Sequence, residues 1–92
     1  DGFGQNVSEQ LLVYPNPTSE TIYMNVDLAT DQDINLYVFN LNGELVLQQE
    51  KIRKGQGTHT LSMNIDELST GTYIIHMDAG SQSSTGKFVV LD

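Results

Sequence analysis

Two histidines, a scatter of serines and a run of aspartates are the groups through which this chain could do chemistry. His59 and His76 fall in separate alternating segments with opposite face parity, so bringing both to one centre would take a special arrangement. Serines are plentiful, yet none sits in the Gly-x-Ser-x-Gly turn that lifts a nucleophile out of a sheet. A Ser–His–Asp triad assembled on paper therefore has no local geometry to support it. Asp27, Asp31 and Asp33 put three carboxylates within seven residues, enough to suggest Ca²⁺, but the glycine-centred loop and closing bidentate glutamate of an EF-hand are missing. A charged hairpin tip accounts for them more simply. With no cysteine, disulfides, thiolate catalysis and cysteine-bearing metal sites are excluded. The expectation is a chain that is not an enzyme and takes no cofactor or metal.

Binding chemistry is the other possibility. Tyr23, Tyr37 and Phe39 could form a sugar-stacking strip if they shared an exposed face, although aromatic residues in sheets commonly serve as cross-strand packing pairs. Lys51, Arg53 and Lys54 fall within four residues, either a solvated loop or a local positive spot for a partner, and Lys87 stands apart near the end. Twelve acidic residues against four basic ones give a net charge of −8, which opposes nucleic acid and anionic lipid surfaces. Asn6-Val7-Ser8 fits the N-glycosylation triplet, which arises readily by chance. No apolar run approaches the roughly 20 residues of a membrane helix, and no signal peptide opens the sequence.

The elements that must position these groups follow from period-two alternation. Ile22, Met24 and Val26 share one face of a segment, with Tyr23 and Asn25 opposite. Ile34, Leu36 and Val38 repeat the pattern with Tyr37 and Phe39 outward; Leu45 and Leu47 follow the Asn42-Gly43 pair, which signals a two-residue hairpin because both positions tolerate positive φ. His59, Leu61, Met63 and Ile65 form another set, and Tyr73, Ile75 and Met77 the next, with Thr72 and His76 outward. Phe88 and Val90 close the series, while Val89 and Leu91 make that last segment apolar on both faces. Counting residues 11–14, there are seven short strands and no window with convincing helical spacing; Asp66-Glu67-Leu68-Ser69 makes at most a tight turn. The pattern predicts an all-β, immunoglobulin-like, seven-stranded antiparallel β-sandwich without the usual cysteine pair or buried tryptophan. Its expected core is Ile22, Met24, Leu36, Val38, Leu47, Leu61, Met63, Ile65, Tyr73 and Ile75.

Residues 1–10 have little periodicity and read as a linker, leaving 11–92 as one domain; the opening Asp1-Gly2-Phe3-Gly4 reads as the continuation of a longer polypeptide. Ninety-two residues bury roughly 60–70% of the extended-chain surface, enough for a modest core. Both prolines sit in Tyr14-Pro15-Asn16-Pro17, where fixed φ and missing donors end regular pairing and turn a corner. Gly71 stands where positive φ or close backbone approach is needed, and Tyr73 enters the core with a hydroxyl that requires a partner.

Four segments in order carry a resemblance. Tyr14-Pro15-Asn16-Pro17, the stretch from Tyr37 through Asn42-Gly43 to Val46, Leu68 through Tyr73, and Gly86-Lys87-Phe88-Val89-Val90 are similar to the type A C-terminal sorting domain of proteins exported by the type IX (Por) secretion system. The resemblance runs from about Leu11 to Leu91. It implies an immunoglobulin-like, non-catalytic domain behind an upstream cargo domain. Outer-membrane type IX machinery would recognise it after the cargo reaches the periplasm, with no direct membrane insertion and no nucleic acid involved. A sortase-like transpeptidase would then cut in or before residues 1–10, leaving the cargo at the cell surface or secreted. The sorting signal would be Gly86, Lys87, Phe88, Val89 and Val90. Family members commonly add a further basic residue near the terminus, where this sequence reads Leu91-Asp92. A final strand near a sheet edge would offer backbone hydrogen bonds for strand addition. The alternatives are a structural spacer or carbohydrate-binding sandwich module of a secreted enzyme and, further off, a Ca²⁺-dependent adhesin repeat.

Overall fold

Alternating apolar and polar residues place one row of side chains on each face of a pleated strand, so such strands bury their apolar rows by stacking two sheets. The computed structural model describes residues 9–18, 20–80 and 82–91 and does this in most of its strands. Its strands are β1 (Glu9–Gln10), β2 (Val13–Tyr14), β3 (Thr21–Leu28), β4 (Gln32–Asn40), β5 (Leu45–Lys54), β6 (Gly57–Asn64), β7 (Gly71–Ala79) and β8 (Gln82–Val90). One sheet has the order β2-β3-β6 and the other β1-β8-β7-β4-β5. β2 to β8 are the seven expected strands, paired antiparallel within their sheets; β1 adds two residues pairing parallel to β8, Glu9 with Ser84 and Gln10 with Thr85. The chain changes sheet between β1 and β2, β3 and β4, β5 and β6, and β6 and β7, which is the interleaving of an immunoglobulin-like sandwich. The Asn6-Val7-Ser8 triplet lies outside the described residues.

The core sits between the sheets. Ile22 and Met24 from β3 and Leu61 and Met63 from β6 face Leu36 and Val38 of β4, Tyr73 and Ile75 of β7, and Phe88 and Val90 of β8, all buried. Leu47 does not join them. It is only half-buried, packed against the rim of the core from β5, the outer strand of the five-stranded sheet.

The turn at Asn42-Gly43 also departs from expectation. Only Gly43 has positive φ, 85°, and the turn closes through Gly43 N–H donating to Asn40 O and Asn40 N–H donating to Glu44 O, both 3.0 Å. This is a three-residue loop with glycine in the left-handed position, the next commonest hairpin after the two-residue form. Asn40 outweighs Asn42 here: its side-chain oxygen accepts the N–H groups of Asn42 (2.9 Å) and Glu44 (3.0 Å). Further along, β5 bulges at Lys51, whose φ of 60° turns its N–H away from the ladder to the Asn35 side-chain oxygen at 2.9 Å.

Candidate functional site

The Gly86-Lys87-Phe88-Val89-Val90 stretch is the second half of β8, and strand alternation divides it by face. Gly86, Phe88 and Val90 are buried; Lys87 is exposed and Val89 half-exposed on the outer face of the five-stranded sheet. Phe88 lies directly opposite Tyr73, and the rings stack with centroids 5.7 Å apart. The Tyr73 hydroxyl finds its partner in the Ser69 carbonyl, 2.7 Å away, and Gly71, with φ of 157°, pairs with Val90. The turn before β7 and the end of β8 are thus one packed unit.

Lys87 ends a row that crosses four strands: Leu45 opposite Phe39, Phe39 opposite Ile74, Ile74 opposite Lys87. Among the described residues Lys87 has no ion pair. Lys51 and Lys54 also lack an ion pair there, so what sets Lys87 apart is the apolar row that it ends.

The other edge of β8 is not open, contrary to the expectation of free backbone groups. The N-terminal segment runs along it. Leu11 N–H donates to Thr85 O at 2.9 Å, Thr18 N–H to Val89 O at 2.9 Å, and Leu91 N–H to Thr18 O at 2.8 Å. Between them sits the Asn16 side chain, which donates from Nδ2 to Lys87 O at 3.3 Å and accepts the Val89 N–H on Oδ1 at 2.9 Å. Both flanking bonds, Tyr14-Pro15 and Asn16-Pro17, are cis. An edge strand with exposed amides invites unwanted pairing, and a covering segment removes that hazard.

Gly86 has its reason in the same crossing. A Cβ placed there would collide with the Leu11 carbonyl oxygen and press on Val13 Cγ2 at 3.1 Å, so only glycine lets the chain pass over β8. Tyr14 packs on Tyr23 across the β2–β3 pair, centroids 5.9 Å apart, and its hydroxyl donates to Asn25 Oδ1 at 3.0 Å. Sequence reasoning found the four segments but missed that the first and last touch; the signal was an asparagine held between two prolines.

The remaining candidates are spread over the molecule. Tyr23 lies on the outer face of the three-stranded sheet, Tyr37 and Phe39 on that of the five-stranded sheet, so they cannot form one stacking platform. Tyr37 donates to Glu50 Oε2 at 3.0 Å, and that hydrogen bond, with smaller contributions from burial and the nearby negative charges of Glu50 and Asp78, raises its pKa. Asp27 Oδ1 accepts from Thr58, Asp31 Oδ1 from the Gln56 N–H, and Asp33 pairs with Arg53 at 3.3 Å. Each of these carboxylates answers a neighbour across a strand or turn.

His59 Nε2 lies 2.6 Å from Gly55 O, at the open end of the inner row on β6. His76 is on the outer face, its Nδ1 3.2 Å from Thr85 Oγ1 and its Nε2 2.9 Å from Asp78 Oδ1. The Thr–His–Asp line imitates a triad in composition, and the backbone around it belongs to the β7–β8 ladder.

Comparison with curated proteins finds no match. Among solved structures, the C-terminal domain of wzt is similar over 87% of this chain and 67% of that one, at 12% identity and a TM-score of 0.49. The residues are more specific than the shape. Those from the Pro-Asn-Pro corner to the closing strand lie within one match, to the model of the secretion system C-terminal sorting domain over residues 12–91, and the chain belongs to that family.

Proposed function

We propose that this domain carries an upstream cargo protein through the outer-membrane type IX machinery to the cell surface or medium, with Gly86, Lys87, Phe88, Val89 and Val90 as the strand the machinery recognises. Family membership supports the C-terminal secretion-sorting role itself, in a family whose domains are in general non-catalytic. The finer reading adds transit through the periplasm and removal of the domain by a sortase-like transpeptidase that cuts in or before residues 1–10. The observation that carries it is Lys87, exposed at the end of the Leu45–Phe39–Ile74 row on a strand whose neighbours Gly86, Phe88 and Val90 are buried. The spacer reading leaves that cation without a task, and the carbohydrate reading has lost its platform to the two opposite faces.

The test fuses residues 1–92 to a periplasmic reporter in a host with the type IX machinery. Lys87→Ala is the informative change, because an exposed lysine contributes no more than about 0.5 kcal/mol to stability. Deleting residues 86–92 is less clean, since it removes Phe88 and Val90 from the core. The expected result is surface delivery by the parent and reduced delivery by Lys87→Ala at a nearly unchanged melting temperature. Equal delivery by both would overturn the assignment in favour of the spacer.

A further inference from the structure

We propose that Asn16 is a positioning residue for the sorting strand, so that the signal is a composite of the Pro-Asn-Pro corner and β8 rather than β8 alone. This rests on the sorting role given to Lys87. β1 ends opposite Thr85, so beyond that point only the isolated Thr18–Val90 bridge flanks this side of β8 among the described residues, and strand ends with so little pairing open readily. The Asn16 carboxamide takes the place of that neighbour.

It presents one donor and one acceptor, as a peptide group does, to Lys87 O and Val89 N–H. Lys87 and Val89 are also the two residues of the stretch that point outward. The side chain thus holds the backbone of the two positions a partner would touch. Thr18 fixes the chain just beyond, through its bonds to Val89 O and Leu91 N–H, and leaves Lys87 O to Asn16.

Few side chains can do this. Aspartate would keep the bond from Val89 N–H but turn a second acceptor toward the Lys87 carbonyl. Glutamine would move the amide outward by one methylene, and alanine offers neither bond. Asn16 is itself exposed, so its loss opens no cavity and water can reach the freed groups. The effect therefore falls on the order of β8 and on recognition, with little on the fold.

The experiment measures backbone amide exchange and reporter export for the parent, Asn16→Ala, Asn16→Asp, Lys87→Ala, the Asn16→Ala/Lys87→Ala double variant and Ile34→Val. Ile34 pairs with Ala79 at the far end of the sheet from Val90 and serves as a mildly destabilised control. In Asn16→Ala the Val89 amide should exchange roughly 5- to 30-fold faster, the range expected for losing one or two modest hydrogen bonds, with the β3–β6 ladder unchanged. Export should fall in Asn16→Ala, fall less in Asn16→Asp, and fall no further in the double variant than in Lys87→Ala, because both residues act through one surface. Export sensitive to Lys87→Ala but indifferent to Asn16→Ala overturns the proposal alone, as does an equal loss in Ile34→Val or strict additivity in the double variant. Export indifferent to Lys87→Ala removes the sorting reading and this proposal with it.

Discussion

Replacing Gly86 with alanine adds one methyl group at the point where the N-terminal segment crosses β8, and the structure sets the size of the consequence. The new Cβ would meet the Leu11 carbonyl oxygen, a backbone atom that cannot swing aside, and Val13 Cγ2 at 3.1 Å. On its other side β8 is held in register, Gly86 opposite Ile75. Two responses are open. The N-terminal segment can lift, which gives up the bond from Leu11 N–H to Thr85 O and exposes Leu11 and Val13, now 6% and 8% accessible. At about 1.5–3 kcal/mol per buried aliphatic side chain and about 0.5–1.5 for the bond, that costs on the order of 3.5–7.5 kcal/mol. Alternatively the strands shift locally and accept the strain of overpacking, about 1–3 kcal/mol. The second is cheaper and sets the expectation: a loss of about 1–3 kcal/mol, and a melting temperature lower by roughly 4–8 °C for each kcal/mol. Urea unfolding measures it, with an unchanged slope showing that the loss is one of stability alone. Gly55→Ala is the control, since its added Cβ meets nothing nearer than Asp31 Oδ1 at 3.5 Å and should stay within about 0.5 kcal/mol of the parent. If Gly86→Ala unfolds at the same urea concentration as Gly55→Ala, the close-approach reasoning is wrong.

Tyr73→Phe keeps the ring stacked on Phe88 but removes the hydroxyl that donates to Ser69 O, so thermal melting should show a loss of about 0.5–1.5 kcal/mol; an unchanged melting temperature would show that the bond adds nothing. Tyr37 should titrate above its usual range because the neutral phenol is held by Glu50, and Glu50→Gln should bring the phenolate absorbance midpoint down; a midpoint that does not move would count against the bond. The sign follows from linkage: a pKa raised in the fold means that the Tyr37 contribution is full below the unfolded-state pKa and is lost as pH rises through the folded one.

Strand alternation was enough to place the core residues of β3, β4, β6 and β7, because which side of a pleat a residue occupies is a local property. Whether a second sheet covers that side is not local. Leu47 has the right parity and remains half-buried because it sits on the outer strand of its sheet, at the rim of the core. The same limit separated Tyr23 from Tyr37 and Phe39: all three face outward, but from different sheets, and sheet membership leaves no trace in alternation. At the site, Lys87 was visible as an isolated cation in an apolar run. Asn16 was visible only as the centre of a proline pair, since its partner Val89 lies 73 residues away and a side chain that replaces a strand has no periodic signature. Gly86 was visible only as the first residue of the closing segment, and the passage of Leu11 above it is what explains why that position takes no side chain.

The pairing of residues 9–18 with residues 84–91 also dictates when the sandwich can close. Leu11 and Thr18 are made about 70 residues before the groups that receive them, so the segment must wait until the rest of the domain has been made. Ring closure over such a span has a sizeable entropic cost, and folds dominated by distant pairings form slowly for that reason. Once β8 arrives, a single step buries Phe88 and Val90, seats Leu11 over Gly86 and seals the sheet edge. A chain whose synthesis halted at Ala79 would hold β3 to β7 with the place of β8 vacant. Closure of this domain therefore reports that translation has passed its final strand.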